Sequence, residues 1–265
     1  MCYNLEYHAK RLIMEAEKIG IPKQQVEQLR EYLKKQQANS SQDLYNANGM
    51  THPSLLVISN DKSQYIQEME WGLIPNWVNN TELANDIRNK TINARGESIF
   101  EKASFKSSAK YRRCVIVADS FFEHHHKFGK KFPYNIRRKD ESPMLIAGLW
   151  DEWNDFDSGE IRRTFSIVTC EANSLLEEIH NNPKHSDARM PVLLESNEAN
   201  TWLKDIHNPH DKKDILDLIK SYPSEKLDAY TVQRLLGHQS LGNGPEVIKE
   251  HKYSELEDGE QGSLF

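Results

Sequence analysis

Between residues 112 and 169 the chain carries four short apolar runs divided by polar turns, and no other feature of the sequence limits the fold as strongly. Residues 112–123 open with Arg112-Arg113, continue through Cys114-Val115-Ile116-Val117-Ala118 and end in Phe121-Phe122-Glu123. Residues 133–136, 144–150 and 163–169 follow, with turns at Lys139-Asp140 and Asp157-Ser158-Gly159. Runs this short, rich in β-branched and aromatic side chains, read as strands, and such tight connections favour antiparallel neighbours. Residues 55–58, 64–71, 189–194 and 227–232 read as further strands. Helical patterns lie between them, at residues 171–180 with Asn173 as N-cap, and at residues 198–203 and 211–220. The expected class is α+β and mostly antiparallel.

Two segments fall outside this pattern. In the first, Leu12, Ile13, Ala16 and Ile19, then Val26, Leu29 and Leu33, recur at helical spacing, and Gly20-Ile21-Pro22 splits them into two helices. This reads as a helical insertion over about residues 8–42, packed on a domain of residues 2–237 whose first strand begins elsewhere. From His238 the chain turns Gly-rich and acidic, which predicts an extended, flexible tail over 238–265.

At 265 residues and 37% hydrophobic content the chain can bury a substantial core. It has no apolar run near ~18 residues and no basic-then-apolar leader, so the expectation is a soluble, cytoplasmic protein without a membrane segment. Cys2, Cys114 and Cys170 are odd in number and lack CxxC spacing, which argues against a disulfide framework or zinc site. A formal net charge of -6 disfavours a broad, sequence-independent nucleic-acid binder but allows a local basic groove.

Cys2 is the chemically distinctive position. Loss of Met1 would leave an amine and a thiol on one residue. The amine can condense with an aldehyde to an imine, and the thiolate can then close a five-membered thiazolidine on the same carbon. Both groups have ordinary pKa values near ~8 to 8.5, so each has some reactive form at neutral pH. Because the second step is intramolecular, good orientation is worth on the order of 7 kcal/mol or more.

Other segments carry weaker signals. Trp71-Gly72-Leu73-Ile74-Pro75-Asn76-Trp77 is a rigid aromatic loop, either a hydrophobic corner or a binding element. In Asn93-Ala94-Arg95-Gly96-Glu97 the small residues allow close backbone approach while Asn93, Arg95 and Glu97 alternate onto one side; a surface turn leading into a helix accounts for them equally well. Glu123 beside Phe121 and Phe122 is placed for a pKa raised by desolvation, as suits an acid near pH 7, with a solvated strand end as the competing reading. The consecutive His124, His125 and His126 point to alternate faces of a strand, so they cannot share one ion, and neither a metal nor a cofactor is expected. His180 ends a helix, as a dipole partner or a catalyst.

Taken in order, Met1-Cys2, Trp71 to Trp77, Asn93 to Glu97, Arg113 to Glu123, Ala147-Gly148-Leu149-Trp150, Thr169-Cys170-Glu171-Ala172-Asn173 and Ile179-His180 with Arg189-Met190-Pro191-Val192 resemble the SRAP family, the SOS-response-associated peptidases, from residue 2 to about 236. The resemblance implies a mostly β pseudo-barrel with peripheral helices, a groove for single-stranded DNA, and capture of abasic sites by a covalent crosslink at the N-terminal cysteine. It implies Cys2, Asn93, Glu123 and His180 as the catalytic set, with His185 as the competitor for the histidine role. Phosphate contacts are expected from Arg95, Arg113, Arg162 and Arg189, base stacking from Trp71 and Phe121, and a further DNA contact from Thr169. Asn4 and His124 stand where family members usually carry an arginine and an aromatic residue. Turnover of the adduct as a lyase is left open. The alternatives are a self-processing cysteine peptidase and a non-catalytic binder of single-stranded DNA. A monomer is expected. Gln261-Gly262-Ser263-Leu264-Phe265 resembles the short peptides that dock on the replication sliding clamp, or is an incidental tail.

Overall fold

A computed structural model describes residues 2–36, 43–61, 65–183, 187–237 and 240–257. Among them thirteen strands run in chain order: β1 (Asn4–His8), β2 (Asp43–Asn48), β3 (Ser54–Ser59), β4 (Ile66–Trp71), β5 (Asn93–Arg95), β6 (Arg113–Ala118), β7 (Ser120–Lys127), β8 (Lys130–Arg138), β9 (Met144–Asn154), β10 (Ile161–Glu171), β11 (Arg189–Pro191), β12 (Leu193–Leu194) and β13 (Leu227–Thr231). The helices are α1 (Ala9–Lys18), α2 (Lys23–Gln36), α3 (Thr81–Lys90), α4 (Lys106–Tyr111), α5 (Ser174–Ile179), α6 (Ser196–Trp202), α7 (Pro209–Asp217) and α8 (Ser254–Glu257). None is long and apolar enough to cross a membrane.

Strands β10, β4, β3, β6 and β9 close into a ring, because β9 also pairs with β10. All contacts around it are antiparallel except β10 with β4, so the barrel is mixed. Gly148 lets it close tightly. A Cβ there would lie 2.6 Å from Ile116 Cδ1 and 2.8 Å from Cys114 Sγ. The second sheet, in the order β13-β8-β7-β1-β2, is antiparallel throughout. One apolar core joins the two, running from Leu5 and Tyr7 through Val115, Ile146 and Phe165. The Tyr7 hydroxyl binds β1 to the barrel by donating to the Leu56 carbonyl at 3.2 Å and accepting from the Leu56 amide at 3.1 Å.

The structure departs from the sequence expectations in three places. Residues 112–123 are two strands in different sheets rather than one. Asp119 makes the corner, its amide bonded to the Glu6 carbonyl and its carboxylate to His8 and Arg11 at 2.8 and 2.7 Å. The domain's first strand does not begin elsewhere; it is β1, directly after Cys2, and only the two helices behind it form the insertion. These helices bury Leu12, Ala16, Val26 and Leu29, and α1 contacts β3 and β6. Residues 240–257, finally, are not an extended tail. Val247 packs with Phe122, Val232 and Leu235, Glu250 bridges to Val232, and the Tyr253 hydroxyl donates to the Val232 carbonyl at 2.9 Å.

Removing residues 240–265 would therefore uncover Phe122, Val232 and Leu235. Burial of one valine is worth about 1.5–3 kcal/mol, so we expect the melting temperature to fall by about 3–12 °C in a thermal denaturation scan. An unchanged midpoint would show that this segment contributes nothing to stability.

Candidate active site

Strand β1 pairs with β7 at Asn4↔Phe122 and Leu5↔Phe121, which carries the segment bearing Cys2 alongside the middle of β7, where Glu123 lies. Cys2 is 1% exposed. Its carbonyl accepts a hydrogen bond from Asn93 Nδ2 at 2.8 Å, and its Sγ contacts the Asn4 carbonyl at 3.7 Å. Burial, and then the negative charge of Glu123, push the thiol pKa up to about 12. Asn93 is placed by β5, which runs parallel to the end of β10 with Ile167↔Asn93 and Thr169↔Arg95 in register. The next residue is Gly96, where a Cβ would lie 3.0 Å from the Thr169 carbonyl, so the close approach anticipated from its small size is real.

Glu123 is buried, and its Oε2 lies 2.9 Å from His180 Nδ1 while Oε1 accepts the His124 amide at 3.0 Å. Burial is the largest single influence and would raise its pKa; the His180 hydrogen bond, nearby positive charge and the His124 amide together outweigh it and hold the carboxyl below its ordinary range. The expectation of a raised Glu123 is corrected, since a buried partner defeats the desolvation that the neighbouring phenylalanines suggested. His180 arrives on α5, whose N-cap Asn173 accepts from the Leu176 amide at 2.9 Å. His185, the competing histidine, lies outside the described residues.

Glu123 and His180 open onto a cleft of about 140 Å³ whose other walls are Tyr3, His124, His126, Lys131 and Asn182. None of these five was singled out as a site residue from the sequence. Lys131 is brought in by the tight β7–β8 hairpin, whose two-residue turn at Phe128-Gly129 sets it opposite His126. Strand alternation sends His125 the other way, onto the Glu178 carbonyl at 3.0 Å. Among the described residues no cluster of three His, Cys, Asp or Glu side chains could hold a metal ion.

Several expected DNA contacts lie elsewhere. Trp71 is fully buried, stacked on Phe165 at 6.0 Å, and donates its indole N–H to the Ile92 carbonyl at 2.9 Å. Phe121 is a core side chain. Neither can stack on a base; Trp71 instead supports the turn into β5 that presents Asn93. Arg113 is wholly buried, its guanidinium donating to the carbonyls of Trp202, Ala109, Lys110 and Lys204. It is a structural brace and no phosphate ligand. Arg162 is gripped by Glu70 at 2.9 Å, with Arg88 on the same carboxylate, five residues along β10 from the residue facing Asn93. At ~3.3 Å per residue that is roughly 16 Å away. Thr169 is buried beneath Arg189, which donates to its hydroxyl at 3.2 Å and to Glu97 at 2.7 Å. Of the seven proposed contacts only Arg95 is well exposed.

The barrel-and-sheet scaffold has solved counterparts. A Bacteroides thetaiotaomicron protein superposes with a TM-score of 0.78 at 31% identity, covering 95% of this chain and 100% of its own. A Bordetella bronchiseptica protein shares the fold, with a TM-score of 0.66 at 21% identity, covering 87% of this chain and 99% of its own. The model of the SOS response associated peptidase (SRAP) family matches residues 15–239, and the chain belongs to that family. Among named relatives, the abasic site processing protein YoqW of Bacillus subtilis (strain 168) is 32% identical over 219 residues, 79% of this chain and 91% of YoqW. The abasic site processing protein HMCES of Xenopus tropicalis is 30% identical over 209 residues, 72% of this chain and 58% of HMCES.

The Glu123–His180 pair makes stability pH-dependent in a defined direction. A carboxyl held below its unfolded pKa stabilises the fold above that value, and the contribution is lost as pH falls through the folded pKa. Glu123→Gln should therefore destabilise the protein by about 1–3 kcal/mol at pH 7, and the gap to wild type should narrow below the ordinary value of 4.5. Urea titrations of both proteins at neutral and acid pH would check this. A gap that widens on acidification would contradict the pairing.

Proposed function

We propose that this protein captures abasic sites in single-stranded DNA by forming a thiazolidine at Cys2 once Met1 has been removed. The observation that carries this reading is the linkage of four residues, with Asn93 Nδ2 on the Cys2 carbonyl at 2.8 Å, the Glu123 charge acting on the Cys2 thiol, and Glu123 Oε2 2.9 Å from His180 Nδ1 beside the cleft. The ring-opened abasic sugar presents an aldehyde. The amine of Cys2 adds to it, water leaves to give the imine, and the thiol adds across the C=N bond, so one water is released overall. Glu123 is ionised at neutral pH and so begins as a base, taking a proton from the attacking amine. The acid form it then becomes can protonate the departing hydroxyl. His180 shares that proton through its 2.9 Å contact with Glu123. Asn93 Oδ1 is buried without a hydrogen-bond partner, an acceptor suited to the new amine or to a sugar hydroxyl. The raised thiol pKa suits this order of events, with nitrogen attacking first and sulfur second.

A peptidase acting through a Cys2 thiolate would want a base at the sulfur. The hydrogen bond found for Sγ is to the Asn4 carbonyl, and Glu123 disfavours the thiolate. The capture reading is therefore preferred over self-processing or peptide hydrolysis, and Met1 removal by an aminopeptidase suffices.

Incubation with a single-stranded oligonucleotide carrying one abasic site should yield a denaturation-resistant protein–DNA species that maps to Cys2. Cys2→Ala should form none, and Glu123→Gln should form it about 10²–10⁴-fold more slowly. Selective blocking of the Cys2 amine should abolish the adduct, whereas a thiol peptidase would survive that treatment. Reversible, salt-sensitive retention of Cys2→Ala and wild type alike, with no adduct from either, would favour a simple binder.

A further inference from the structure

Resting on the reading that single-stranded DNA enters this cleft, we propose that Asp187 is a built-in phosphate mimic, and that DNA binds by displacing its carboxylate from Arg95. Arg95 ends β5, two residues beyond Asn93. Alternate residues of a strand share a face, so Arg95 lies on the Asn93 side, roughly 7 Å further along. Its guanidinium is engaged two-pronged by Asp187, with NH1 at 2.8 Å from Oδ2 and NH2 at 3.2 Å from Oδ1. The same planar fork fits two oxygens of a phosphodiester. The carboxylate thus covers the donors that a DNA strand leaving the cleft would use.

Two comparisons within the structure favour exchange at this pair. Arg189 also approaches Asp187, at 3.6 Å, but its side chain is 4% exposed and its donors are occupied by Glu97 and Thr169. Arg95, by contrast, is 54% exposed and Asp187 37%. Ion pairs so accessible to water are held weakly and exchange readily. An anion with two suitably spaced oxygens and more charge nearby can replace the carboxylate, while strands that bind only loosely are discriminated against. Asp187 would thereby lower the affinity for undamaged DNA without touching the reacting atoms.

The test is a double-mutant cycle on the full chain, measured by fluorescence anisotropy with an undamaged single-stranded oligonucleotide, so that covalent chemistry does not enter. Asp187→Asn should bind about two- to fivefold more tightly than wild type at low salt, with the gain shrinking between about 50 and about 200 mM salt. In an Arg95→Gln background the same Asp187→Asn change should give no gain. An equal gain in both backgrounds would mean that Asp187 acts only through overall charge, and would overturn the proposal. No gain in either, or no measurable binding of DNA by any variant, would overturn it as well. The abasic-site adduct is scored separately. Its absence from wild type alongside an intact Arg95-dependent gain would sink the capture chemistry and leave the phosphate-mimic role standing.

Discussion

The antiparallel pairing of β1 between β7 and β2 is the interaction on which the site depends. Chain termini are ordinarily the least ordered parts of a domain. Here the strand that follows Cys2 lies inside a five-stranded sheet, flanked on both sides, and every residue of β1 is buried. Asn4 is tied across to Asn46 at 2.7 Å, and Tyr7 reaches the barrel through Leu56. Cys2 is thereby held next to a core strand, as the proposed condensation at its nitrogen and sulfur would require, since orientation supplies much of such a rate.

Opposing electrostatic effects then set the chemical state of the cleft. Water is excluded from Glu123, which by itself would favour the neutral acid. The hydrogen bonds from His180 and the His124 amide, together with nearby positive charge, favour the anion, and jointly they prevail. The resulting negative charge acts on Cys2, adding to burial in keeping the sulfur protonated. One ionised carboxylate thus restrains the thiol and, in the proposed capture, would accept a proton from nitrogen. The packing of Val247 on Phe122, beside Glu123 on β7, and of Tyr253 on Phe132 of the neighbouring β8 supports the same strand pair.

The arginines show how one residue type is sorted by its surroundings. Arg113 satisfies four backbone carbonyls, Arg162 shares Glu70 with Arg88, and Arg189 clamps Glu97 to the β10 backbone. Their charges serve the fold. Arg95 alone among these keeps an accessible face, and its pairing with Asp187 is one that solvent and ligands can contest.

Local chemistry made much of this legible in the sequence. Apolar runs of strand length marked most strands, Gly20-Ile21-Pro22 divided the two inserted helices, Asn173 announced α5, and the thiol at position 2 stood out through its reactivity. The order of motifs placed the family. Small or aromatic neighbours and a capped helix drew attention to Asn93, Glu123 and His180, but it was the resemblance to the family that named them as a set. Tertiary structure alone decided the rest. β1 escaped notice because its alternating Asn4, Glu6 and His8 look solvated, yet they are buried against Asn46, Ser120 and Asp119, up to 114 positions away. The packing of the two sheets, invisible in a single sequence, turned Trp71, Phe121 and Arg113 into the core. The pKa of Glu123 depended on whether its burial was shared with a partner, and that partner lies on a helix 57 residues further along the chain. A sequence states which groups a chain carries and what each can do in water; which of them lose that water, and beside whom, is settled only when distant segments pack.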